Sequence, residues 1–269
     1  MNVLFLQLAL FGYLGALLFF LADIAAPKDV FRRAGTRFLA GSLAAHALQI
    51  ALTWISGSPP PALSMLAFLL AAGYLVLQRR YALRGPGIVA SSSAALLYFA
   101  SFLLDRGAGG DGVGGLFASA GSSSSAGVWR SVHLVFVLSG MASFFLAFVS
   151  AVLYLVKERA LKKRLASALS QRLSSLETLD AVTSACMLAG LALLTFGIAS
   201  GMLLNHAAHE MIWRWSVHEI TALAPWTVLL VLFLVRVSAG WRGRRTAVLN
   251  VCGFTVTIAF LAIGLVGWA

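Results

Sequence analysis

The chain has 269 residues, 60% of them hydrophobic and only 11% charged, where a soluble domain carries about 25% charged residues. With a mean hydropathy of +0.91, this composition excludes a cytosolic enzyme and describes an integral membrane protein. The formal net charge of +11 does not imply nucleic acid, because Lys and Arg fall in short clusters between apolar runs, as topology signals do.

A helix needs about 20 apolar residues to cross about 30 Å of hydrocarbon. Eight runs meet that length, at roughly 3–24, 38–56, 62–78, 87–104, 129–156, 181–204, 220–236 and 246–268. The predicted fold is all-α, one membrane domain over 1–269 with eight transmembrane helices. Met1-Asn2 offers no basic leader region and no small-residue cleavage site follows the first run, so that run is expected to be a retained helix. Cys186 and Cys252 each lie inside an apolar run with no C-x-x-C spacing, which reads as packing in helices rather than thiol exchange or covalent haem attachment.

Taken in order, the first connection carries Lys28, Arg32, Arg33 and Arg37, and the third Arg79, Arg80 and Arg84. The fifth runs basic from Lys157 to Arg172, and the seventh holds Arg236, Arg242, Arg244 and Arg245. These odd connections contain 17 of the 20 basic residues, leaving Arg106, Arg130 and Arg214 to the even ones. The positive-inside rule therefore predicts odd connections in the cytoplasm and both termini outside, as in a multi-pass protein of the bacterial inner (plasma) membrane. The even connections differ in kind. Residues 105–127 are rich in Gly and Ser and read as a flexible outer loop. Residues 205–219 pack His206, His209, Glu210, Trp213, Arg214, Trp215, His218 and Glu219 into one outer loop, where any chemistry on that side is expected.

Histidines supply the candidate ligands. His46 lies nine residues beyond Arg37, which at about 1.5 Å per residue puts it near mid-bilayer. An ionisable group there is a functional candidate by default, and Ser42, Gln49 and Thr53 share its stripe. The alternatives are an interhelical hydrogen bond and a haem or other ligand. His133 follows Trp129 and Arg130 at the outer end of the fifth span, with Val137, Gly140 and Phe144 on its face. Gly140 is expected to leave room for a flat group, and a neutral imidazole at this depth is the form that ligates iron. The alternative is a bond to loop backbone. His206, His209 and Glu210 read H-x-x-H-E, which is not a zinc-peptidase order. Trp213 and Trp215 bracket Arg214; they suit an interfacial aromatic belt or a porphyrin with a paired propionate. No span carries two histidines, which disfavours a transmembrane electron-transfer cytochrome and favours a single haem held between a helix end and a loop.

Several segments resemble the cytochrome c assembly proteins of the CcsA and CcmC type, and among them the eight-helix HemX and YpjD-like branch. Ser131-Val-His133-Leu-Val-Phe-Val-Leu-Ser-Gly140, continuing to Leu153-Tyr-Leu-Val-Lys157-Glu-Arg159, is similar to the family's outer-helix histidine and the basic end of its helix. Leu176-Glu-Thr-Leu-Asp180 with Leu194-Thr-Phe-Gly197-Ile-Ala-Ser-Gly201, and Gly240-Trp241-Arg242-Gly-Arg244-Arg245, are similar to later family segments. Trp213-Arg-Trp215-Ser216-Val-His218-Glu219, with Trp226 further on, resembles the tryptophan-rich outer motif W-x-W-D-P-K-E. Ser216 stands where the family has Asp, and no histidine follows His218, where complete haem-delivering members have one.

The resemblance implies a haem-handling factor for cytochrome c maturation, not itself an enzyme, presenting non-covalent haem b at the outer face. In that reading His133 matches the first external axial ligand and His46 matches a second-helix histidine, while the second ligand to iron is open among His206, ranked first, His209, His218 and a partner chain. Arg130 and Arg214 would meet propionates, while Trp213 and Trp215 would cover the ring. Its partners would be haem, the lipid bilayer, apocytochrome c and a second assembly subunit, with no nucleic acid. The alternative is a HemX-like regulator of haem biosynthesis acting on the level of glutamyl-tRNA reductase, its basic segment Lys157 to Arg172 meeting a partner. A small-molecule transporter is the third reading, although no inverted repeat is visible.

Overall fold

A computed structural model describes residues 3–26, 28–56, 60–107, 125–163, 172–211, 213 and 217–266. The helices are α1 (Val3–Ala25), α2 (Asp29–Ile55), α3 (Ala62–Tyr81), α4 (Pro86–Gly107), α5 (Ser125–Lys162), α6 (Leu176–His209), α7 (Val217–Ser238) and α8 (Arg244–Val266). Each contains a stretch long and apolar enough to cross a membrane, so the chain is an all-helical protein with eight candidate spans among its described residues. Their surfaces fit that reading. Phe11 is 69% exposed, Leu96 68% and Phe196 60%, an apolar skin that water would not tolerate and lipid does. The polar side chains of Ser42, His46, Gln49, Ser64 and Asn250 are buried instead.

Several helices outrun the apolar runs that announce them. α2 begins at Asp29, well before the run at 38, because Arg32 and Arg33 sit on its first turns and Arg32 pairs with Asp29 at 3.0 Å. Long basic side chains can ride a helix through the membrane boundary with their heads in water. α6 starts at Leu176, where the Ser175 hydroxyl accepts the Thr178 amide at 3.1 Å as an N-cap. It continues to His209 and closes on Glu210 in the left-handed region, φ 57°. The sequence predicts an outer loop over 205–219; in the structure 205–209 belong to α6 and 217–219 to α7, leaving only residues 210–216 between helices. The run Leu203-Leu-Asn-His-Ala-Ala-His209 contains no Gly or Pro to stop the helix earlier. Of the predicted 105–127 loop, α4 takes residues up to Gly107 and α5 those from Ser125, and the rest lies outside the described residues.

The chain divides into two compact units, 1–131 with 171–174, and 132–170 with 175–269. In the first, α1 and α2 approach at glycine: a Cβ on Gly12 would stand 2.7 Å from that of Ser42. One end of this unit is fastened by charge, with Asp29 Oδ1 accepting from Arg32 and from Arg84 at 2.9 Å, and Arg172 donating to the carbonyls of Ile24 and Ala25. In the second, Phe254 of α8 stacks on Phe148 of α5 at 4.5 Å and meets Phe144 edge-on at 5.2 Å. There Asp180 on α6 takes Arg236 of α7 at 2.9 Å.

Candidate functional site

In the second unit α5 and α6 are antiparallel neighbours whose contact line is built from small residues. A Cβ on Gly140 would lie 2.6 Å from Leu194 Cγ, one on Gly197 would lie 2.8 Å from Val137 Cγ2, and one on Gly201 would lie 3.0 Å from His133 Cε1. Stepping along α5 from His133 to Val137 to Gly140 matches stepping back along α6 from Gly201 to Gly197 to Leu194. The space at Gly140, expected to admit a flat group, is thus filled by Leu194: this glycine serves close helix approach. Phe144, one turn further, is fully buried.

At the head of this seam His133 is half-buried. Its Nδ1 lies 2.8 Å from the Gly197 carbonyl oxygen and 3.2 Å from Ser200 Oγ. A carbonyl can only accept, so Nδ1 carries the proton and donates, and the lone pair resides on Nε2. This is how metal-ligating histidines are commonly prepared, with the far nitrogen tied to a carbonyl that fixes tautomer and ring orientation.

In the first unit His46 is fully buried, and its setting differs. Tyr13 Oη lies 2.9 Å from Nδ1 and Ser64 Oγ lies 2.9 Å from Nε2, so the imidazole ties α1, α2 and α3 together. Phe68 meets it edge-on at 5.6 Å and Tyr98 leans on it at 4.1 Å. Tyr98 in turn donates to Gln49 Oε1, and Ser42 donates to the Ala9 carbonyl at 2.6 Å. The predicted stripe of Ser42, His46 and Gln49 is buried, while Thr53 is half-buried and returns its hydroxyl to Ile50 of its own helix at 2.7 Å. Iron at His46 would have to displace Tyr13 or Ser64. Neither hydroxyl is visible as a partner in the sequence; the signal available is a tyrosine at the middle of the first span.

The remaining candidates lie toward the α6 to α7 connection and the start of α5. His206 is exposed on the last turns of α6, five residues past Gly201 and so about 140° around the helix from the face that meets His133. On that face Asn205 donates to Glu219 Oε1 at 2.8 Å, joining α6 to α7. Trp226 of α7 donates to Thr195 of α6 at 2.9 Å. Trp213 is half-buried, and Arg130 beside Trp129 is exposed. Arg214, Trp215 and Ser216, with the side chains of His209 and His218, lie outside the described residues. Among the described residues no three His, Cys, Asp or Glu side chains gather as a metal ion requires. Cys186 is buried and Cys252 is exposed on α8.

An all-helical protein with an apolar skin and eight helices long enough to cross a membrane has the make-up of an integral membrane protein. The family model described as cytochrome C assembly protein matches residues 63–268, and the chain belongs to that family. His133 falls within the matched stretch and His46 before it. The chain is similar to the cytochrome c biogenesis protein CcsA of Trichormus variabilis, 39% identical over 98 residues, which is 36% of this chain and 28% of that protein. The CcsA of Nostoc punctiforme is 39% identical over the same shares. That of Rippkaea orientalis is 34% identical over 119 residues, 44% of this chain and 35% of that protein. The matched segments therefore span little more than a third of these relatives at most. No solved structure matches the chain.

Proposed function

We propose that this protein handles haem in cytochrome c maturation, holding haem b at the outer face of the bacterial plasma membrane with His133 as an axial ligand. The observation that carries the reading is the 2.8 Å bond from His133 Nδ1 to the Gly197 carbonyl, which leaves the Nε2 lone pair as the coordinating one. Family membership and the proteins named CcsA support the maturation role. The basic odd connections support an orientation with both termini outside, which puts His133 toward the outer leaflet.

Haem b, when bound, supplies an iron that takes axial nitrogen ligands and two propionates that seek cations. The chemistry of His133 fits that group: it would give the nitrogen, with Gly197 and Ser200 holding its ring, and the family resemblance makes Arg130 and Arg214 the expected propionate partners. Trp213 and Trp215 would shield the site from water, and His206 is the leading candidate for a second ligand from this chain, which a rotation of the end of α6 would have to bring round. Apocytochrome c and a second assembly subunit are the expected partners. The replacement of the family's Asp by Ser216, with no histidine after His218, leads us to assign holding and presentation rather than unaided attachment, so the chain is not read as an enzyme.

The test is a pyridine haemochrome and reduced-minus-oxidised spectrum of the purified protein beside His133→Gly. Haem b should be present near one per chain, fall with the variant and return on adding imidazole. A protein that takes up no haem, or a His133→Gly protein with unchanged spectrum, overturns the reading. The same departure at Ser216 favours, as second reading, a HemX-like regulator of haem biosynthesis. Co-purification of glutamyl-tRNA reductase, lost on neutralising Lys162, Lys163 and Arg164, would support it.

A further inference from the structure

The connection from α7 to α8 takes no part in the haem reading, yet it has a defined shape. It turns through two left-handed glycines, Gly240 at φ +62° and Gly243 at φ +66°, where a side chain would be strained. The Gly243 amide donates to Asp180 Oδ1 at 3.0 Å, the carboxylate that also holds Arg236. A Cβ on Gly243 would stand 2.7 Å from Tyr154 Oη. Thr246 donates to the Trp241 carbonyl at 2.9 Å, and the Arg245 guanidinium lies over the Trp241 ring at 5.5 Å. A topology signal depends on the number of positive charges in a short loop and needs none of this geometry.

The shape produces a shallow groove of about 840 Å³, lined by Trp241, Arg242, Arg244, Arg245, Val248 and Leu249 among others. The three arginines are exposed. Of these three, Arg244 lies 3.6 Å from Glu158 and Arg242 acts on Asp180 through its charge, and among the described residues Arg242 and Arg245 enter no salt bridge. The groove lies where the candidate spans Glu219–Ser238 and Arg244–Ala262 end, which is headgroup level. Val248 is 41% exposed and lies one turn deeper than Arg244, at hydrocarbon level. Guanidinium groups above, an indole at the interface and an apolar strip beneath match the profile of a phospholipid with an anionic headgroup. A soluble anion would have no use for the apolar strip.

We propose that this groove binds an anionic phospholipid, its phosphate held by Arg242, Arg244 and Arg245 beside Trp241 and an acyl chain running along Val248 and Leu249. Such a lipid would fix the α7 to α8 end of the second unit against the membrane surface. The site is independent of haem at His133, so either assignment can fail alone.

The experiment is native mass spectrometry of the full-length detergent-purified protein, offered dioleoyl phosphatidylglycerol and dioleoyl phosphatidylcholine in equal amounts. The protein should retain phosphatidylglycerol preferentially, and Arg242→Gln and then Arg242→Gln with Arg245→Gln should weaken that preference by about fivefold per arginine. Both substitutions leave the hydrogen bonds from Arg236 and the Gly243 amide to Asp180 in place. Arg79→Gln with Arg80→Gln, an equal charge loss at the end of α3, should leave the preference intact. An undiminished preference in the double groove variant overturns the site, as does an equal loss in the α3 control. Displacement of the phosphatidylglycerol by millimolar inorganic phosphate would show a soluble-anion site and overturn the lipid assignment.

Discussion

His46 holds a hydroxyl on each ring nitrogen, Tyr13 and Ser64 both at 2.9 Å, whereas His133 gives Nδ1 to a backbone carbonyl 2.8 Å away. Hydroxyls donate or accept, so Tyr13 and Ser64 satisfy His46 in either tautomer and hold three helices through it. A carbonyl only accepts, so Gly197 commits His133 to one tautomer and assigns its lone pair to Nε2. Two histidines inside apolar helices are thus separated by the chemistry of their partners: one joins three helices, the other is held in one tautomer with its lone pair on Nε2. The family match begins at residue 63, so it includes His133 and leaves His46 outside.

The strongest way to break this comparison is to truncate both imidazoles and read haem and stability together. Removing even a supporting partner of a metal ligand costs about 10- to 100-fold in affinity, so His133→Ala should lose at least that much haem while the apoprotein keeps its melting behaviour within about 1 kcal/mol. His46→Ala should do the reverse. Haem content should stay, but Tyr13 and Ser64 lose their shared partner and a cavity opens, at a cost of about 3 kcal/mol. Loss of haem from His46→Ala with His133→Ala unaffected would exchange the two roles.

The charged fastenings sharpen the contrast between units at a smaller scale. Asp180 and Arg236 are 20% and 18% exposed, and Asp180 also accepts the Gly243 amide. Asp180→Asn should therefore cost about 2 kcal/mol, between the values for exposed and buried pairs. Asp29 is 57% exposed although it meets two arginines, and Asp29→Asn should cost under about 1 kcal/mol. Chemical unfolding of both variants in one detergent compares them directly; equal losses would deny the second unit its tighter fastening.

How much of this was legible in the sequence follows from the period and depth of each signal. The eight spans were, because a run of apolar residues long enough for hydrocarbon has few other uses. Their ends were less so: Arg32, Arg33, His206 and His209 are polar residues of the kind that mark loops, yet the helices run through them into the boundary region. Both site histidines stood out as titratable groups in apolar surroundings. Their partners did not, since pairing His133 with Gly197 or His46 with Tyr13 and Ser64 requires the register between helices, which the periodicity of one helix does not encode. The same limit explains Gly140, where a small residue signals close approach without saying whether a helix or a ligand approaches.

The smallest effect sharpens this point about glycine inside the first unit. Gly41 lies in α2, and a Cβ there would meet nothing within 4 Å, so the position needs neither close approach nor unusual backbone. Gly41→Ala removes unfolded-chain freedom without new contacts and should stabilise by about 0.5–1 kcal/mol. Its neighbour one helix away gives the opposite sign. At Gly12 the added methyl would stand 2.7 Å from Ser42 Cβ and 3.1 Å from its Cα, so α1 and α2 must separate and the 2.6 Å bond from Ser42 to the Ala9 carbonyl must lengthen. Thermal unfolding of the pair, followed by tryptophan fluorescence, should place Gly41→Ala above the parent and Gly12→Ala below it. Two shifts of the same sign would mean that the α1 to α2 packing does not set the stability of this unit, and the role of His46 as its cross-link would have to be argued anew.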